Sequence, residues 1–197
     1  MTYTDEFLAD SRKIIDLLDR EAIERIAGEL AAVRSRRGRL FIVGSGGGAG
    51  HASHAVNDFR KIARIEAYTP TDNVSELTAR INDDGWDTSY SNWLRVSRIG
   101  PADMLLVFSV GGGDPERGIS VNLIRCIELA REVKAIVCGI VGRDGGYTAV
   151  VGDAIVVPPV NGATVTPQTE GFQALIWHLL VSHPAVQQAA MKWESVT

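Results

Sequence analysis

Two stretches of the chain share one pattern: RLFIVGSGGG (Arg39–Gly48) and MLLVFSVGGG (Met104–Gly113). Each is a short apolar run that stops abruptly in glycines, and a segment with helical spacing follows. That is strand, turn and helix, the repeating unit of an α/β domain. The apolar runs do not alternate with polar residues, so the strands are expected to be covered on both faces, as in a parallel sheet. KAIVCGIVG (134–142) and DAIVVPPV (153–160) supply two more strands. The intervening segments GHASHAVNDFRKIARIE (50–66), 71–80, 91–97, DPERGISVNLIRCIELAREV (114–133) and 166–181 read as helices. The fourth of these opens with acidic residues and Pro115, as helix N-termini do. INDDGW (81–86) reads as a loop and RDGGY (143–147) as a turn. The expected fold is a three-layer α/β/α sandwich on a mainly parallel sheet.

Upstream, residues 5–34 carry Leu8, Ile14, Ile15, Leu18, Ile23, Ile26, Leu30 and Val33 at helical spacing. This is one long helix or two shorter ones, and a partner subunit is a natural surface for it to pack on. SRRGR (35–39) marks the boundary, which divides the chain into a helical segment (1–36) and an α/β domain (37–197). Across 197 residues, 45% are hydrophobic and 22% charged, an ordinary globular composition. Lys and Arg number 20 against 24 Asp and Glu, a net charge of −4, which argues against nucleic-acid or anionic-membrane partners. No apolar run reaches the roughly 18–20 residues of a membrane span. The N-terminus MTYTDEFLADSRK is too polar for a signal peptide. Cys126 and Cys138 lie in apolar contexts and read as buried free thiols. A cytoplasmic protein is expected.

In a parallel sheet both glycine turns open at the carboxyl ends of strands, where ligands bind. Glycine lets backbone N–H groups approach an anion, and the following helix N-terminus favours negative charge. The alternative is a pair of tight turns holding nothing. GSGGGAG (44–50) can be read as a dinucleotide fingerprint, but no acidic residue ends a second strand about 20 residues on. The four histidines fall in two clusters, His51 with His54 and His178 with His183. His54 and Asp58, four apart, share one helix face close to the first glycine turn. That spacing suits metal ligation or acid/base work, and equally a surface pair. His178 lies in EGFQALIWHLL, where a core histidine is the plainer reading. Glu170, eight residues earlier on the same helix, is about 12 Å away along the axis. The two cannot grip one small ligand from a straight helix unless Glu170 precedes it or two subunits share the site.

The order of these motifs resembles the sugar isomerase (SIS) domain proteins, and among them the phosphoheptose isomerases, from about residue 37 to 183. The family opens with a strand, G-N-G-G-S and a helix bearing H-x-x-x-E; here stand Gly44-Ser45-Gly46-Gly47-Gly48, His54 and Asp58. Its T-D-x-S-x-L-T-A…N-D-x-G is matched by Thr71 through Ala79 and Asn82-Asp83-Asp84-Gly85. Its G-D-V-L-L…S-T-S-G-N-S-P becomes Ala102 to Leu106 and Ser109-Val110-Gly111-Gly112-Gly113-Asp114-Pro115. T-G-R-D-G-G is matched at 141–146, and the last helix aligns at Glu170 to Gln173 and His178.

The resemblance implies an SIS-type, flavodoxin-like sheet and a cytoplasmic homotetramer with active sites between subunits, acting in carbohydrate metabolism on the route to heptoses. It implies isomerisation of a phosphorylated ketose, sedoheptulose 7-phosphate, to D-glycero-D-manno-heptose 7-phosphate. Asp58 would be the base and His178 the acid/base histidine, working through an enediol. A zinc ion, one per site, would be held by His54, Asp58, Glu170 and His178. Ser45, Gly46, Gly47, Gly48, Asn82, Asp83, Ser109, Gly111, Gly112, Asp114 and Glu170 would contact the sugar and its phosphate. Three departures stand out. Asp58 replaces a glutamate and shortens the reach by one methylene. Glu170 replaces a glutamine. In the phosphate loop only Ser109 remains of the serines, with Asp114 in place of the last; Arg117, Arg60 or Lys61 would have to supply positive charge. The rival readings are a non-catalytic SIS module that binds a phosphosugar or a protein partner, and a nicotinamide-dependent dehydrogenase.

Overall fold

The computed structural model describes residues 1–191; residues 192–197, the end of the expected second segment, lie outside the described residues. Two helices come first, α1 (Tyr3–Leu17) and α2 (Arg20–Ser35). A capping box between Thr2 and Asp5 opens α1, and its hydrogen bonds from Thr2 hold the Asp5 carboxyl below the usual carboxylate range. The Asp19 side chain caps α2 through the Ala22 N–H. The α/β order then runs β1 (Arg39–Gly44), α3 (Gly47–Lys61), β2 (Glu66–Tyr68), α4 (Val74–Asp84), α5 (Trp86–Val96), β3 (Met104–Ser109), α6 (Val121–Glu132), β4 (Ile136–Val141), α7 (Gly146–Val151), β5 (Asp153–Val156) and α8 (Val165–Ser182).

All strand pairs are parallel, in the order β2-β1-β3-β4-β5. This is the flavodoxin-like doubly wound order, with its switch point between β1 and β3; the dinucleotide-binding order is different. On one face Leu40, Ile42, Leu106, Phe108 and Ile140 pack with Ile26 and Leu30 of α2, Phe59 of α3 and Trp177 and Leu180 of α8. On the other, Phe41, Val43, Leu105 and Val107 pack with Tyr90 and Leu94 of α5 and Ile127 of α6. The two-sided burial explains the uniformly apolar strands. Cys126 and Cys138 are free, buried on opposite faces of the sheet, and burial pushes both thiols up.

The helix-to-strand returns reuse one device. Arg37, Arg64, Arg98 and Lys134, two or three residues past the ends of α2, α3, α5 and α6, all have left-handed φ between 53° and 62°. A cation there follows a helix C-terminus, whose partial negative charge it complements. Beneath β1, buried Asp103 accepts from the Arg39 N–H (2.8 Å), Arg39 Nη2 (2.7 Å) and the Gly100 N–H (2.8 Å). Asp103→Ala leaves these donors unmatched and costs about 3 kcal/mol, the low end for a broken buried pair because Arg39 is partly exposed. Urea unfolding measures it; a loss under about 1 kcal/mol contradicts this account.

Four sequence expectations change. The first concerns β2, which the apolar pattern does not announce: it is a three-residue edge strand in which only Ala67 is buried. Next, α4 continues through Asp84, so Asn82 and Asp83 are helical rather than in a loop. Also, α7 forms where a turn was expected. Finally, residues 114–120 are not helical. The Asp114 carboxylate accepts from the Glu116 and Arg117 N–H groups (3.1 and 3.0 Å), and Asp114 and Ile119 exchange two backbone hydrogen bonds (both 3.0 Å). Asp-Pro-Glu suits a helix start, and it suits an aspartate-led turn equally well.

Candidate active site

The site gathers around the first glycine turn. Gly46 takes φ 58°, and α3 begins at Gly47. Ala52, Ala55, Val56 and Phe59 anchor one face of α3 in the core. The adjoining edge carries His54 and Asp58 toward α8. Nε2 of His54 lies 3.8 Å from Asp58 Oδ2, and Nε2 of His178 lies 3.9 Å from the same oxygen. The two imidazole side chains are about half exposed, whereas the Asp58 side chain is only 14% exposed. The Nδ1 of His178 is 2.7 Å from the Ala174 carbonyl. A carbonyl can only accept, so Nδ1 carries a proton, and Nε2 is the nitrogen that faces Asp58.

One chain therefore brings His54, Asp58 and His178 together, with one ligand atom from each, all within 4.8 Å. Two imidazoles and a carboxylate with an open side suit zinc, whose catalytic sites keep three protein ligands and a free position. Tetrahedral ligands on 2.1 Å bonds stand about 3.4 Å apart, so small side-chain movements would close the present spacing. Glu170, expected as a fourth member, is outside this group. It sits two turns earlier on α8, and its carboxylate packs on Gly47, where an added Cβ would lie 2.5 Å from Oε1. The straight helix keeps Glu170 and His178 apart, as the 12 Å spacing requires. His183 is elsewhere too, 3.2 Å from Glu24 of α2.

The second glycine turn lines a cleft at the strand ends with Ser45, Ser109, Gly111, Asp114, Arg117, Ser120 and Arg143. Ser109 Oγ accepts from the Gly112 N–H (3.0 Å), and the Gly112 carbonyl accepts from Thr148 Oγ1 (2.7 Å). Asp114 is turned into its own loop and pairs with Arg117 at 3.6 Å. Gly48, in the first turn of α3, packs on the Phe108 carbonyl and lets α3 lie close to the end of β3. Arg60 is not available to the cleft: at the far end of α3 it donates to the Ala67 carbonyl and lies over the Tyr68 ring. Lys61 ends the same helix. Asn82 and Asp83 are exposed on α4, a helix with no buried residue, and bond to each other (2.7 Å).

Three residues escaped the sequence reading. Fully buried Asn122 donates to Ser45 Oγ (3.1 Å) and so ties α6 to the first glycine turn, while its Oδ1 has no partner. Arg143, with φ 54°, lies beside Gly111 at the cleft and makes no ion pair among the described residues. Trp177 lies under the two imidazoles. The signal for Arg143 is its place after the β4 run; Asn122 and Trp177 look like core residues in sequence.

No family model matches the chain. A phosphoheptose isomerase of Rhodospirillum rubrum is 33% identical over 165 residues, covering 81% of this chain and 82% of that protein. The chain belongs to the phosphoheptose isomerase family. The lincomycin biosynthesis protein LmbN of Streptomyces lincolnensis is 31% identical over 188 residues, covering 89% of this chain and 66% of that protein. The solved phosphoheptose isomerase of Neisseria gonorrhoeae shares the fold, with a TM-score of 0.78 at 24% identity over 91% of this chain and 93% of that one. A parallel five-stranded sheet flanked by helices is thus the family's architecture, here with Asp58 and a glycine-rich second turn.

Proposed function

We propose that the chain isomerises sedoheptulose 7-phosphate to D-glycero-D-manno-heptose 7-phosphate. The observation that carries this reading is the convergence of Asp58, His54 and His178 beside the first glycine turn, in a chain of this family. Asp58 would remove the proton from C1, giving a cis-enediolate. His178 Nε2 would move a proton between O1 and O2, its ring held by the Nδ1–H donation to Ala174. The proton would then return to C2. In a zinc-loaded site His54, Asp58 and His178 would hold the ion, which would supply Lewis-acid polarisation of the carbonyl oxygen; the proton roles given to Asp58 and to His178 Nε2 belong to the metal-free cluster. The shorter reach of Asp58 asks the sugar to sit closer to α3. The retained cluster disfavours the non-catalytic reading, since a pure binder has no use for a carboxylate and two imidazoles so placed.

The phosphate end would lie in the cleft. From Gly47 to His54 the helix rises about 10 Å, a distance an extended sugar phosphate can span. With Arg117 paired to Asp114, Arg143 would be the cation that meets the phosphate, helped by the N–H groups of the glycine turn. Arg143→Ala is then expected to raise KM about tenfold, the effect of one charge-assisted contact, and to leave kcat within about threefold. Saturation kinetics check it, and an unchanged KM removes Arg143 from the site.

The helical segment 1–36 would pack subunits into the family's homotetramer. Tyr3, Leu8, Ile15 and Leu17 of α1 are exposed apolar residues, as are Leu175 and Leu179 of α8. No helix among the described residues is long and apolar enough to cross a membrane, and cytoplasmic action on a soluble sugar phosphate fits the reading. Incubating metal-stripped and zinc-loaded protein with sedoheptulose 7-phosphate, with products identified by mass and NMR, tests the assignment. Turnover lost on stripping and restored by zinc makes the cluster a metal site. Equal turnover leaves it an unassisted acid/base pair. No turnover in either form overturns the function.

A further inference from the structure

The indole of Trp177 is fully buried, yet its Nε1–H has no hydrogen-bond partner. A buried unmatched donor is costly, and a leucine or phenylalanine would fill the core without it. The ring's neighbours point to a use for its flat face. The His178 imidazole stacks on it, with centroids 3.5 Å apart and planes at 28°. The His54 imidazole meets it edge-on at 4.7 Å and 66°. Those two rings are themselves perpendicular, 5.4 Å apart.

Both imidazoles are about half exposed, and a half-exposed side chain is free to change rotamer unless something holds it. The His178 ring is tethered at one point, by the Ala174 carbonyl. For His54 no hydrogen bond is present among the described residues; its nearest charged neighbour, Asp58, is 3.8 Å away. The immobile surface common to both rings is Trp177, which is locked in the core that joins α3 and α8.

We infer that Trp177 is a positioning residue: one rigid indole face fixes the orientation of both imidazoles, so that their Nε2 atoms converge on Asp58. This rests on His178 being a reacting group, as proposed above. It adds a residue that touches neither sugar nor metal and acts only through the rings it holds.

The decisive comparison is Trp177→Phe against Trp177→Leu in the full chain, with and without zinc. Phenylalanine keeps a flat face; leucine fills space without one. Trp177→Phe is expected to keep kcat within about threefold. Trp177→Leu is expected to lose about 10- to 100-fold in kcat with KM within about twofold, because small misplacements of a reacting group are expensive. Both variants are expected to lower the melting temperature. A purely structural role would give that loss of stability in both and an unchanged kcat per folded molecule in Trp177→Leu, which would overturn the inference. An NMR measurement on the wild-type protein needs no variant. The ring C–H resonances of His178 and His54 should be displaced from free-imidazole positions by the indole ring current, most strongly for His178. Resonances at free-imidazole positions would overturn the inference even if Trp177→Leu failed to fold. Absence of activity in the wild-type protein would count against the isomerase reading instead and leave the NMR result to decide the ring geometry.

Discussion

His178→Ala is expected to lower kcat by about 10²–10⁴-fold, the range supplied by a positioned acid/base group, while the protein stays folded. His178 lies on the half-exposed side of α8, its side chain 51% exposed, so truncation leaves no cavity in the core. Besides its ring contacts with Trp177 and His54, two polar contacts disappear with it: the Nδ1 donation to Ala174 and the approach of Nε2 to Asp58. Only the second faces the place where C1 and C2 of a sugar would lie. His178→Asn separates them further, because its amide can still donate to the carbonyl but cannot relay a proton at Nε2. Both variants should therefore be nearly inactive with a melting temperature close to wild type. Near-normal turnover in either would remove His178 from the mechanism. A collapsed melting temperature would show that its role is structural.

Gly112→Ala is expected to damage the fold severely. Gly112 has φ 70°, a conformation in which an L-residue carries about 1 kcal/mol of strain. Its added Cβ would stand 1.9 Å from the Gly145 carbonyl oxygen. That oxygen belongs to backbone and cannot swing aside as a side chain could. The Gly112 carbonyl is also fixed by the Thr148 N–H (3.0 Å) and Oγ1 (2.7 Å), so the second glycine turn cannot retreat without releasing α7. We expect a loss of about 3 kcal/mol or more, or about 10 °C in melting temperature, together with weaker substrate binding at the cleft. Gly28→Ala is the matched control. Gly28 is interior to α2 with nothing within 4 Å of its added Cβ, so the same change there should stabilise by about 0.5–1 kcal/mol. Equal effects at the two positions would show that the turn is less tightly built than its contacts imply.

The central strands and both glycine turns are legible in sequence because a doubly covered parallel strand must be apolar throughout, and the runs at Leu40–Val43 and Met104–Phe108 have no other reading as strong. β2 is hidden because an edge strand of three residues needs only one inward side chain, Ala67. The hairpin at 114–120 is hidden because the Asp114 carboxylate can cap a helix or close a turn, and the choice is made by Gly118 and Ser120, which adopt left-handed φ of 65° and 57°. At the site, four-residue spacing suffices to pair His54 with Asp58 on one face of α3. His178 comes into view through resemblance alone, since an apolar helix gives no hint that one edge meets α3. Within one chain the rise of α8, already evident from the eight-residue spacing, keeps Glu170 away from the histidines and carries its carboxylate to Gly47. Trp177 cannot be found from sequence: a buried tryptophan in an apolar helix reads as packing until the rings on its face are seen.

Proton transfer at C1 and C2 by the Asp58–His178 pair is tested most directly by turnover of sedoheptulose 7-phosphate in D2O, followed by proton NMR. A base that takes a proton from C1 exchanges it with solvent, so the account predicts D-glycero-D-manno-heptose 7-phosphate carrying deuterium at C2, and neither product nor label with Asp58→Asn. Product formed with no deuterium at C2, or full turnover by Asp58→Asn, would contradict it.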